Sequence, residues 1–149
     1  MLILGMQLDK FTDYALRVLI ALAVRAPEKL SVSAIAGLYG LSENHLSKVA
    51  SALVHGGFIH SVRGRQGGLT LARGAHEISI GAVVRYLKAD APVVECFAQN
   101  ASCSILPACG LRLPLARAQE AFFAELDKVT LSDVTHDKSH LEQLLETQG

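Results

Sequence analysis

Apolar residues recur with helical period near the start of the chain, at Phe11, Tyr14, Ala15, Val18, Leu19, Leu22 and Ala23. That spacing predicts a helix over residues 9–25, capped by Asp9 or Thr12 and ended by Pro27. A second apolar pattern begins after Ser31. Ser33 is a candidate N-cap for a short helix Ala34–Tyr39, and Gly40 is suited to the positive φ that closes it. Leu41 then fills a turn, and Ser42 caps a helix over Glu43–His55 that Gly56 and Gly57 stop. Two short helices joined by a tight glycine turn form a helix-turn-helix. Phe58–Val62 and Leu69–Leu71 then alternate as short strands around Arg-Gly-Arg-Gln-Gly-Gly. Two strands joined by a glycine-rich turn make a hairpin, and after a helix-turn-helix such a hairpin is a wing.

Residues 76–89 carry an apolar stripe of Ile78, Ile80, Val83, Val84 and Leu87, which predicts a further helix closed by Pro92. A cysteine-bearing loop follows. Beyond it Leu115, Ala118, Phe122, Phe123 and Leu126 mark a long amphipathic helix that wants a partner surface. The predicted class is mainly α with a small β-hairpin wing: a winged helix-turn-helix domain plus a long dimerisation helix. The expected segments are a DNA-binding domain over 6–75, a connecting helix over 76–92 and a cysteine loop over 93–112. A dimerisation helix over 113–131 and a weak, flexible tail over 132–149 complete the chain.

Half of the 149 residues are hydrophobic and tryptophan is absent, so the expected core is Leu, Val, Ile and Ala. The net charge of zero hides an asymmetry. Residues 1–73 hold eight Lys/Arg against four Asp/Glu, a surplus of +4, and residues 74–149 hold six against ten, a deficit of −4. A basic first half is compatible with a polyanionic partner. The apolar start MLILGM lacks a basic leader, and Val18–Val24 is too short to span a bilayer, so the expected location is cytoplasmic, with no membrane partner. Met6 is an alternative start.

Cys96, Cys103 and Cys109 are the only cysteines, spaced C-x6-C-x5-C among Asn100, Ser102, Ser104, Pro107 and Gly110. Those neighbours read as a loop rather than an apolar helix face. Three soft sulfur donors in one loop suit an iron–sulfur cluster, with one ligand position left to another group. Structural zinc usually takes four Cys/His ligands, and no histidine lies between residues 77 and 135. A metal-independent thiol switch, a disulfide with one free thiol, and three plain core cysteines remain open readings. An enzyme is disfavoured: there is no phosphate-binding loop, no nucleophile–base pair and no second carboxylate near the cysteines.

The recognition helix of a helix-turn-helix enters the major groove led by its N-terminal residues. Ser42 and Lys48 are therefore candidates for phosphate, and Asn44 and His45 for base edges. Ser33, in the preceding helix, joins them as a candidate DNA contact. Arg63 and Arg65, with Gln66 beside them, suit a narrow electronegative minor groove at the wing tip.

With these pieces placed, the chain resembles the Rrf2 family of winged-helix regulators. The resemblance runs from Met6 to about Val134. It is carried by MQLDKFTDYALRVLI, by YGLSENHLSKV in the recognition helix and by SVRGRQGGLTLA in the wing. It continues through ISIGAVVRYL, the cysteine loop ending LPACGL, and FFAELDKVTLSDV. Within the family it is most similar to the nitric-oxide-sensing repressors. A branch that senses cluster status places a histidine soon after the third cysteine, where this chain has Leu111, Arg112 and Leu113. An iron-sensing branch shares the Cys-Gly-Leu ending and stays open. The resemblance implies a homodimeric repressor of promoter DNA with one cluster per subunit, 4Fe–4S or 2Fe–2S. Cys96, Cys103 and Cys109 would be its thiolate ligands. The resemblance also implies a fourth ligand, Asp13 of the partner subunit, with Glu95 as a local competitor. Nitric oxide would be the signal that releases DNA, or alternatively iron or redox state.

Overall fold

The computed structural model describes residues 8–88, 104–105 and 108–148. It divides into two units, one formed by Met1–Ile78 with Thr130–Gly149 and the other by Ser79–Val129.

In the first unit, helix α1 spans Lys10–Arg25, and its cap is Asp9, whose carboxylate accepts from the Thr12 N–H and hydroxyl. Helix α2 spans Val32–Tyr39. Its cap is Ser31 and not Ser33, which corrects the expectation from sequence. Ser31 has the extended backbone a cap requires and its Oγ accepts from Ala34 N–H at 3.0 Å, whereas Ser33 lies inside the first turn. Gly40 closes α2 at φ 65°. Ser42 caps helix α3, Glu43–His55, by accepting from His45 N–H.

Strands β1, Ile59–Val62, and β2, Gly68–Leu71, pair antiparallel with Ile59 opposite Leu71 and Val62 opposite Gly68. The mainly helical fold with one small hairpin is the expected class. A 3₁₀ turn at Ala75–Glu77 follows. The core comprises Val18, Leu19 and Leu22 of α1, Ile35 of α2, Leu46, Val49 and Leu53 of α3, and Ile59 and Leu69 of the hairpin, all almost fully buried.

The end of the chain departs from the sequence reading. The last residue expected in the dimerisation helix and the residues expected as a tail form two helices, α6 at Leu131–Val134 and α7 at Lys138–Gln148. Thr130 and Asp133 close a reciprocal capping box on α6. Leu131 is fully buried, Leu145 is buried, and α7 packs against α1 and α2. Leu141 and Leu145 stand one turn apart, so the acidic composition of this segment conceals a short apolar stripe.

In the second unit the helix expected over 76–89 begins later. Ser79 caps helix α4, Ile80–Leu87, by accepting from Ala82 N–H, and Ile78 before it is extended. Helix α5 spans Arg112–Asp127, four residues short of the expected end, with Pro114 tolerated in its first turn. Arg85 of α4 joins Glu120 and Asp127 of α5 at 2.6 and 2.8 Å, and its guanidinium lies 5.2 Å from the Phe123 ring centroid. Hydrogen bonds from Arg85 hold both carboxyls below their usual range and raise the guanidinium in turn. Gly81 lets the two helices meet: a Cβ there would collide with Asp127.

Candidate nucleic-acid interface and sensor residues

Helix α3 is anchored by Leu46, Val49, Ala50 and Leu53, which leaves Asn44 and Lys48 on its exposed side. Ser42 is exposed at the cap, where its oxygen accepts and its O–H stays available to a phosphate. His45 is placed differently. Its half-buried ring meets Tyr14 of α1 edge-on at 5.0 Å and stands 6.4 Å from Phe11. It therefore ties the start of the recognition helix to α1. Ser33 is exposed in the first turn of α2.

Arg63, Arg65 and Gln66 lie exposed at the wing tip. The turn that presents them depends on backbone only glycine adopts readily. Gly64 has φ 106°, and its carbonyl accepts from Gly67 N–H. Gly68 has φ 141°, and a Cβ there would lie 3.1 Å from the Leu30 carbonyl. Leu30 approaches so closely because it exchanges both backbone hydrogen bonds with Leu69, at 2.7 and 3.1 Å. Lys29 beside it donates to the Gln66 carbonyl at 3.5 Å. The loop before α2 thus supports the wing from behind. Sequence reading missed this support, because nothing local at Lys29 or Leu30 signals a partner almost forty residues away. Gly68→Ala should lower stability by about 1–3 kcal/mol, the cost of a disallowed backbone region. Gly37→Ala, in a helix with open space around it, should not destabilise. Urea unfolding of the two variants checks this: equal midpoints would remove the argument.

On the sensor side, Cys109 is a free, half-buried thiol shortly before α5. Cys96, Cys103 and Glu95 lie outside the described residues. Among the described residues no group of three His, Cys, Asp or Glu side chains is gathered closely enough to hold a metal ion. Asp13 pairs with Arg17 one turn later in α1, through Nε–Oδ1 at 3.2 Å and Nη2–Oδ2 at 3.3 Å. Both side chains are about two-fifths exposed, so the pair contributes little stability. The i,i+4 spacing in DYALR is legible in the sequence, but the choice of Arg17 as the resting partner of Asp13 is a finding of the structure. The Arg17 guanidinium also lies 5.8 Å from the centroids of both Tyr14 and Tyr39. The Tyr39 hydroxyl donates to the Arg17 carbonyl at 2.8 Å; burial pushes its pKa up to about 12 against the opposing charge of Arg17. No helix among the described residues is long and apolar enough to cross a membrane.

Comparison with known proteins extends this geometry. The sequence profile of the Rrf2 family, described as "Iron-dependent Transcriptional regulator", matches residues 8–137. The HTH-type transcriptional regulator NsrR of Geobacillus kaustophilus is 45% identical over 142 residues, covering 94% of this chain and 97% of its own. The protein of the same name in Bacillus subtilis is 44% identical with the same coverage. Among solved structures, CymR, the global cysteine regulator of B. subtilis, superposes with a TM-score of 0.68 at 28% identity. That match covers 88% of this chain and 97% of CymR.

Proposed function

Because the chain belongs to the Rrf2 family of DNA-binding transcriptional regulators, which are not enzymes, we propose that it is a homodimeric repressor whose cysteines hold an iron–sulfur cluster and whose hold on promoter DNA is released by nitric oxide. The observation that carries this reading is the conjunction of a C-x6-C-x5-C thiol set with an arginine-tipped winged helix in one short chain. The donor chemistry fits the group: three soft thiols, of which Cys109 is free, and an Asp13 carboxylate that remains partly accessible. When bound, the cluster, 4Fe–4S or 2Fe–2S, would supply iron that a small molecule such as nitric oxide can attack. Cys96, Cys103 and Cys109 would hold it from one subunit, and Asp13 of the partner subunit would complete the set.

The chain's own residues supply the rest. Asp13 has a resident alternative partner in Arg17, so the carboxylate does not stand unpaired when it is not a ligand. Helix α5 contains no fully buried residue, and Leu111 and Leu113 at its start are well exposed. That face suits a second copy of the chain. Ser42, Asn44, His45 and Lys48 of α3, Ser33 of α2, and Arg63, Arg65 and Gln66 of the wing are the proposed DNA contacts. A change in the relation between subunits would alter the spacing of two recognition helices on the duplex. Suppressing most binding requires several kcal/mol of difference between the two states, at about 1.4 kcal/mol for each factor of ten.

The family's description as iron-dependent favours one second reading, in which iron supply is the signal. Anaerobic purification followed by nitric oxide titration separates the two, with visible absorbance and promoter binding read on one sample. Bleaching and DNA release in step are the expected result. DNA release on iron chelation but not with nitric oxide would establish the iron reading. A colourless protein that still binds DNA after cluster reconstitution would leave a thiol or zinc regulator.

A further inference from the structure

Between α3 and the inner face of the hairpin lies a groove of about 290 Å³. Its floor is apolar, with Val32, Ala50 and Leu69, and its rim carries the hydroxyls of Ser47, Ser51 and Ser61. None of its lining residues is acidic. At about 100° per residue along a helix, Ser51 points roughly 20° from Asn44 and roughly 60° from Lys48. The rim therefore starts where the candidate DNA-reading side of α3 ends. Ser61 sits opposite Leu69 in the hairpin register, so both side chains leave the same face of the sheet.

The hydroxyls are not equivalent. Ser47 already donates to the Glu43 carbonyl at 2.9 Å. Ser51 and Ser61 are exposed, and their hydroxyls make no hydrogen bond among the described residues. An apolar floor with two unused donors at its edge matches one feature of duplex DNA, a sugar–phosphate strand. Deoxyribose carbons suit the floor, and phosphate oxygens suit the donors. Any protein that places a helix in the major groove and a wing in the adjacent minor groove must straddle the strand dividing them. We infer that this groove seats that strand, with Ser51 and Ser61 donating to its phosphate. The inference rests on the assignment of α3 to the major groove and the wing to the minor groove, and adds two phosphate donors to it.

Fluorescence anisotropy with the full chain and a labelled mixed-sequence duplex tests this, because a backbone contact does not depend on base sequence. The Ser51→Ala/Ser61→Ala double variant should bind roughly tenfold more weakly, with the salt dependence unchanged since no charge is removed. Ser61→Lys should bind more tightly and steepen the log–log salt slope by about 0.9 per protomer engaged, the signature of one further neutralised phosphate for each. Ser132→Lys on α6 adds the same charge away from the groove and should leave the slope as it was. Wild-type affinity in the double alanine variant, or a wild-type slope in Ser61→Lys, would overturn the inference. Failure of the unaltered chain to bind duplex DNA would instead overturn the groove assignment of α3 and the wing, and this inference with it.

Discussion

Serine in place of Cys96, Cys103 or Cys109 is expected to abolish stable iron binding, each substitution alone being sufficient. A serine hydroxyl has nearly the shape of the thiol but does not ionise near neutral pH, and its hard oxygen is a poor donor to a cluster that selects soft thiolate. Iron per subunit after anaerobic reconstitution should fall by at least tenfold, and the visible absorption should vanish with it. DNA binding should then no longer respond to nitric oxide. Cys109 is outside the buried core, so with both proteins cluster-free Cys109→Ser should leave the unfolding midpoint almost unchanged, within about 0.5 kcal/mol. That separates loss of a ligand from loss of the fold. Full iron content in Cys109→Ser would remove this cysteine from the ligand set. Asp13→Ala should behave differently: three thiols would still retain iron, while the response to nitric oxide would change.

Removing both wing arginines should produce the second large effect. Charge-assisted hydrogen bonds to phosphate contribute about 1.5–3 kcal/mol each, so Arg63→Ala/Arg65→Ala should weaken DNA binding by roughly 10²–10⁴ per protomer engaged. The slope of log affinity against log salt should fall by about 0.9 for each phosphate that is no longer neutralised. Both side chains are exposed, and the hairpin is held by its β1–β2 pairing and by the Leu30–Leu69 bridge. Neither support uses an arginine, so the variant should unfold at the wild-type midpoint. If affinity and salt slope both match the unaltered chain, the wing does not touch DNA. Lys48→Ala should give the same kind of change at about half the size, one charge being removed instead of two.

The features legible in the sequence were those that the chain decides over a few residues. A side-chain oxygen bonding an N–H three residues on requires no knowledge of the rest of the molecule. Ser42, Glu43–His55 and the left-handed Gly40 were accordingly found where the sequence placed them. The same local logic chose Ser33 where Ser31 is the cap, because two serines two residues apart offer the same chemistry. Their backbone conformations decided between them. The hairpin was legible because its glycine-rich turn and alternating strands are adjacent in the chain.

Periodicity predicted that an apolar stripe exists, but the element it meets depends on how the chain returns. Tertiary structure alone brought Leu30 to Leu69, packed α7 with Leu145 against α1 and α2, and turned the His45 ring onto Tyr14. It also gathered Glu120 and Asp127 around Arg85. The sequence by itself therefore determined α1, α3 with its cap, the turn at Gly40, the wing and the thiol set, since each follows from covalent neighbours and short-range hydrogen bonding. The support behind the wing, the packed C-terminus and the groove beside α3 were decided only by folding, because each is a choice among distant partners of similar chemistry, settled by which arrangement buries the apolar faces together.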